Sequence, residues 1–208
     1  VYNTYIISLA NSGSGAHLKS AKEWLPQSIN SCALYGWDAK VFSAVNGYSI
    51  KESVWSEHGL KLPAKSKNKE KKSIGDLPGA QGCFLSHYIL WNTCIAINQP
   101  IVILEDDAIV ISQLDVINSN YDLVKLHSPR AEGKSKLGHW STGAFAYWLS
   151  TDGAKKLVEF SKTHGPILAD KIIASSILNW GYLDFPVVEL GRRIGSSTQP
   201  EKYPYRFY

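Results

Sequence analysis

Between Leu77 and Leu104 the chain carries no Asp, Glu, Lys or Arg, an unbroken run of 28 positions (77 to 104 inclusive) in 208 residues. A run like this either crosses a membrane or fills the inside of a folded core. His87, Asn92, Asn98, Gln99 and Pro100 interrupt it. The apolar pieces between them fall short of the ~20 residues that a spanning helix needs. Two buried elements in succession are therefore expected. Cys83, His87, Leu90, Trp91, Cys94 and Ile95 recur at the spacing of one helical face. Asn98-Gln99-Pro100 ends that helix. Ile101 to Leu104 then reads as a strand covered on both faces, as in the middle of a parallel sheet. It runs directly into Glu105-Asp106-Asp107.

The rest of the chain alternates in the same way. Strands are expected at 4–9, 38–44, 123–126, 144–148 and 183–188, and helices at 17–34, 151–162 and 168–180. Leu18, Ala21, Leu25, Ile29 and Ala33 form the expected apolar stripe of the first helix, with Pro26 a point where it kinks or splits. Residues 49–59 show no decisive period. Strands alternating with helices define an α/β fold, a mostly parallel central sheet flanked by helices. At this length one domain over 1–208 is expected. Hydrophobic residues at 44% and charged residues at 19% exclude a disordered chain. Cys32, Cys83 and Cys94 are too few and too scattered for a disulfide framework. A reducing, cytoplasmic setting is the default expectation.

The net charge of +4 is unevenly placed. Lys61 to Lys72 holds six Lys and one Glu, or +5, leaving 16 basic and 17 acidic residues, or −1, elsewhere. The basic segment reads as a solvated loop over 61–75. Lacking interleaved aromatics, it is too small a footprint for nucleic acid. An anionic membrane surface is a better partner for Lys61–Lys72, with the protein peripheral on the inner face of the cytoplasmic membrane. The aromatic tail over 199–208 either packs back on the body or touches such a membrane.

Three adjacent carboxylates at the end of a buried strand repel one another. In open α/β sheets that carboxyl edge is where ligands bind. A hard divalent cation, Mn²⁺ or Mg²⁺, relieves the repulsion through oxygen ligands. Alternation along an extended segment would point Glu105 and Asp107 one way, as metal ligands, and Asp106 the other, toward a sugar or ribose hydroxyl. A solvated turn is the competing reading. Gly79-Ala-Gln-Gly82 opens the preceding helix, and Ser86 and His87 follow one turn later. Backbone N–H groups at such a helix start suit phosphate. A plain turn with a core histidine explains the same residues.

Taken together, GAQGCFLSHYILW followed by IVILEDDA resembles glycosyltransferase family 25, the lipooligosaccharide galactosyltransferases and their collagen-modifying relatives. Val41-Phe-Ser-Ala-Val-Asn-Gly47 and Thr142-Gly143-Ala144 through Leu157 agree in the same order. The resemblance implies a GT-A-like nucleotide-sugar-binding domain, a UDP-sugar donor, Mn²⁺ or Mg²⁺, and inversion at the anomeric carbon. It implies galactose as the hexose and a cell-envelope or lipid-linked oligosaccharide as acceptor. By position, Glu105 and Asp107 become the metal ligands. Gly82, Ser86, His87 and Asp106 become donor-binding residues. Asp170 falls where the family has an aspartate opening a late helix, and is the expected catalytic base; a helix-start acid without catalytic duty is the alternative.

Two departures stand out. Where the family's first strand runs into Leu-Asp-Arg, this chain has Leu9-Ala10-Asn11, so Asn11 takes up a donor contact there. No His follows His164 to serve as a late metal ligand, and Arg192 with Arg193 is the expected grip on the diphosphate. These departures keep open a catalytically inactive relative that binds carbohydrate or a partner.

Overall fold

The computed structural model describes residues 2–11, 16–66, 73–117, 120–129, 132–135, 138–141 and 143–191, with backbone only at 16–20, 132–135 and 138–141. Arg192, Arg193, the tail over 199–208 and Lys67 to Lys72 lie outside the described residues.

In chain order the elements are β1 (Asn3–Ser8), α1 (Ala16–Leu34), β2 (Ala39–Ser43), α2 (Glu52–Glu57), α3 (Pro78–Ile97), β3 (Ile101–Glu105), β4 (Ala108–Val110), β5 (Leu123–Lys125), β6 (Glu132–Ser135), β7 (Gly138–Ser141), β8 (Ala146–Leu149), α4 (Thr151–His164), α5 (Ala169–Ile172), β9 (Trp180–Tyr182) and β10 (Val188–Leu190). A six-stranded sheet has the order β2-β1-β3-β8-β5-β9. β1 pairs in parallel with β2 and β3, and β5 with β9, whereas β8 runs antiparallel to both β3 and β5. The sheet is mostly parallel, as the sequence predicts.

The uncharged run is the buried helix and strand expected of it. Pro78 occupies the first turn of α3, where its missing N–H costs nothing. Asn98 closes the helix in the left-handed conformation, φ 49°. Ile101 to Leu104 are wholly buried. Alternation sends Ile101 and Ile103 into one apolar layer with Phe84, Tyr88 and Trp91 of α3. Val102 and Leu104 enter the opposite layer with Ile6, Cys32 and Trp37. Helices thus cover both faces. None of the described helices is long and apolar enough to cross a membrane.

Four expectations change. Ala21 is buried and Leu25 packs on the core as expected, but the buried face of α1 then passes through Ser28, Ser31 and Cys32, and Ile29 and Ala33 are exposed. Small serines let α1 approach β4, where Val110 N donates to Ser31 Oγ at 3.0 Å. Pro26 neither splits nor ends α1, because it sits on the exposed side where water meets the carbonyl it leaves unpaired. The helix expected over 168–180 is only α5, four residues long. Ile172 to Ser175 are buried consecutively, so no solvent face exists, and Ser175 Oγ donates to Ile172 O at 2.7 Å. Finally, the strand expected over 183–188 divides into β9 before it and β10 at its end. Pro186 has no N–H to give a ladder, and Phe185 is turned out to solvent.

Candidate active site

β1 leads through α1 to β2 on one side, and the chain then returns through α3 to β3 on the other. The carboxyl ends of β1 and β3 are therefore a topological switch point, where open α/β sheets leave a crevice. An open cleft lies there. Its walls are Ile7 and Leu9 from β1 and just beyond, residues 44–48 after β2, Gly79, Cys83, Ser86 and His87 of α3, and Glu105 and Asp106.

Glu105 continues the face of Ile101 and Ile103 toward α3. Its amide donates to Phe145 O at 2.7 Å. The strand ends at Glu105 and the chain turns through Asp106 and Asp107, so alternation does not extend to Asp107. Asp106 lines the cleft and is held from β1: Ser8 Oγ donates to its Oδ2 at 3.0 Å. Asp107 is buried, and Gly191 N donates to its backbone carbonyl at 2.7 Å.

The α3 wall is built by close approach. A Cβ on Gly82 would stand 2.4 Å from Val45 O and 2.7 Å from Gly47 N. Gly82 therefore lets the 45–47 loop lie against the helix, acting on the cleft through that loop. Ser86 fastens the same loop, since Val45 N donates to Ser86 Oγ at 2.9 Å while Ser86 Oγ donates to Gly82 O at 2.7 Å. His87 is wholly buried; its Nδ1 lies 2.8 Å from Tyr147 Oη and its Nε2 3.6 Å from Glu105 Oε1.

Asp170, on α5, is close enough to Glu105 and Cys83 for their charges to interact. Burial raises its carboxyl above the ordinary range; Lys171 and Lys125 pull it back, and Glu105 pushes it up. Lys125 is itself wholly buried on β5, donating from Nζ to Gly143 O at 3.1 Å and lying 5.5 Å over the Trp180 ring.

Two donor sets offer themselves to a cation. Cys83 Sγ, a His87 ring nitrogen and a Glu105 oxygen lie within 4.8 Å of one another. Burial, with Glu105 and Asp170 nearby, pushes the Cys83 thiol well up, and a soft sulfur suits Mn²⁺ or Mg²⁺ poorly. The oxygen set fits better. Glu105 and Asp106 face the cleft, and the repulsion between Glu105 and Asp170 is what a hard cation would relieve.

Of the residues singled out in the sequence, Ser86, His87, Glu105 and Asp106 share one cleft, with Asp170 in electrostatic reach and Gly82 behind the wall. Asn11 is exposed in the turn beyond β1. Ser8, Lys125 and Tyr147 were not anticipated. Lys125 had a signal, a lone cation inside Leu123-Val-Lys-Leu126. Tyr147 had none, being one aromatic in an apolar strand.

The family model for glycosyltransferase family 25 (LPS biosynthesis protein) matches residues 2–131. The chain belongs to glycosyltransferase family 25. A "Glycosyltransferase 25 family member" of Aedes aegypti is 30% identical over 151 residues, 60% of this chain and 24% of that protein. One of Anopheles gambiae is 35% identical over 78 residues, 36% of this chain and 12% of that protein. The chain thus matches no more than about a quarter of the length of these relatives. Among solved structures, the glycosyltransferase GlyE of Streptococcus pneumoniae aligns over 88% of this chain and 45% of its own, with TM-score 0.45 and 12% identity. A glycosyltransferase involved in glycosylation of the major capsid of PBCV-1 aligns over 80% and 69%, with TM-score 0.38 and 10% identity.

Proposed function

We propose that the chain transfers a hexose, galactose by family resemblance, from a UDP-sugar to a hydroxyl of a cell-envelope oligosaccharide such as lipooligosaccharide. The observation that carries this reading is the placement of Glu105 and Asp106 at the β1/β3 switch point, in a cleft walled by α3. The acidic turn 105–107 holds Mn²⁺ or Mg²⁺. Glu105 and Asp107 are its ligands, with Asp106 beside them lining the cleft. Bound there, such a cation would supply charge neutralisation to a departing diphosphate. Ser8 fixes the Asp106 carboxylate for this contact.

Asp170 acts as base. Its carboxylate takes the proton of the acceptor hydroxyl as that oxygen bonds to the anomeric carbon. The bond from that carbon to the diphosphate breaks, and UDP leaves with the electron pair. Burial of Asp170 strengthens it as a base, since a raised pKa moves toward the working pH. The test is transfer and hydrolysis across a panel of nucleotide sugars, with and without chelator. Turnover restored by Mn²⁺ and lost in Asp107→Ala supports the reading; turnover indifferent to chelator removes the metal from it. Donor binding without any turnover favours a non-catalytic binding module, which the Leu9-Ala10-Asn11 departure would explain.

A further inference from the structure

Tyr147, on the reversed strand β8, pairs with Ile103 two positions before Glu105. Its side chain is wholly buried. Two ring nitrogens converge on its hydroxyl: Trp91 Nε1 at 3.0 Å and His87 Nδ1 at 2.8 Å. An indole nitrogen only donates, so Tyr147 Oη accepts from Trp91. The phenol then has one proton to give, and His87 Nδ1 is placed to accept it. Burial pushes the Tyr147 phenol well above its ordinary range, so that proton stays on the oxygen. With Nδ1 accepting, the ring hydrogen of His87 sits on Nε2. The opposite tautomer would aim two N–H groups at one phenol oxygen and leave the phenol proton without an acceptor among the described residues, at the cost of an unmet buried donor.

Nε2 of His87 is buried, has no hydrogen-bond partner among the described residues, and faces Glu105 Oε1 at 3.6 Å, beyond an ordinary hydrogen bond. We propose that Tyr147 is a positioning residue that fixes His87 as an Nε2–H donor into the cleft, where it binds an oxygen of the nucleotide sugar beside Glu105. The identity of that oxygen's owner rests on the reading above; the tautomer does not. His87 then belongs to the hydrogen-bonding wall of the cleft, and the Cys83–His87–Glu105 cluster is not a metal site.

The test uses the full chain with ¹⁵N-labelled histidine and two-bond ¹H–¹⁵N correlation spectra. The expected wild-type pattern for His87 is hydrogen on Nε2, unchanged by Zn²⁺ alone. Tyr147→Phe should release the ring to a mixture of tautomers and raise KM for the UDP-sugar by about two- to tenfold, the worth of one hydrogen bond, with a smaller change in kcat. His87→Gln places an amide N–H where Nε2 stood, so adding Tyr147→Phe to it should cost no more in KM. A wild-type ring with hydrogen on Nδ1 overturns the proposal, whether or not Tyr147→Phe folds. So does a tautomer indifferent to Tyr147→Phe, or stoichiometric Zn²⁺ binding lost in His87→Ala. If the tautomer depends on Tyr147 as stated but no nucleotide sugar binds, the glycosyl-transfer reading fails and the positioning role stands.

Discussion

Ser8 and Asp106 are 98 positions apart in the chain, and a 3.0 Å hydrogen bond from Ser8 Oγ to Asp106 Oδ2 joins the ends of two parallel strands across the cleft floor. Ser8 Oγ also accepts from Ala10 N at 3.1 Å, which sets the turn leaving β1. Ser8→Ala removes both. The loss of a hydrogen bond to a buried carboxylate costs about 1.5–3 kcal/mol, and a loosened Asp106 should weaken UDP-sugar affinity more than it slows turnover. Denaturant titration and steady-state kinetics check the two effects separately.

Gly82→Ala tests the approach of the 45–47 loop to α3. The added methyl meets backbone atoms of Val45 and Gly47, which cannot swing aside like a side chain. Overpacking of this kind costs about 1–3 kcal/mol. A lowered thermal midpoint is expected, together with a weaker donor site. An unchanged midpoint would show that the loop stands further from the helix.

Asp170→Asn should lower transfer by about 10²–10⁴, the usual worth of a general base. Its stability should move the other way. Burial raises the folded-state pKa of Asp170 above the ordinary carboxylate value. The stability associated with its protonated form is fully present below the unfolded value and is lost as pH rises through the folded one. Asparagine escapes that loss. The variant should therefore gain on the wild type, in thermal midpoint, between acid and neutral pH; parallel curves would deny that Asp170 is perturbed.

The segment from Lys61 to Lys72, with six lysines and one Glu, carries +5 against −1 for the rest of the chain. Each lysine contributes ~1 kcal/mol near an anionic lipid surface. Flotation with phosphatidylglycerol-containing vesicles should recover the wild type and lose the variant with all six changed to Gln. Equal recovery would remove the membrane-surface role.

The parts of the fold that were legible are those where a single period dominates. The uncharged run revealed α3 and β3 because burial of most of its residues leaves little place for charge. The first helix was legible in its place and in the burial of Ala21 and Leu25, but not in the second half of its buried face, because serines at 28 and 31 carry no apolar signal and serve by being small. The 168–180 segment misled for the opposite reason: continuous burial of Ile172 to Ser175 mimics a long core helix. In the site, Ser86, His87, Glu105 and Asp106 could be found because they lie in two short stretches. Ser8, Lys125 and Tyr147 come from three further strands, and only the sheet order brings them near. Pairing between distant strands leaves no local trace.

The reversal of β8 has a consequence for how this protein can diversify. β5 ends, and β8 begins, at the same edge of the sheet that holds the cleft. The connection over 126–145 therefore needs no helix to return it, unlike the links from β1 to β2 and from β2 to β3. It already carries the β6–β7 ribbon. Lengthening it would cost only about 0.6 kcal/mol per doubling in closure entropy, without shifting one pair in the six-stranded sheet. Insertions in this stretch can thus be accepted while Glu105, Asp106 and the α3 wall stay untouched.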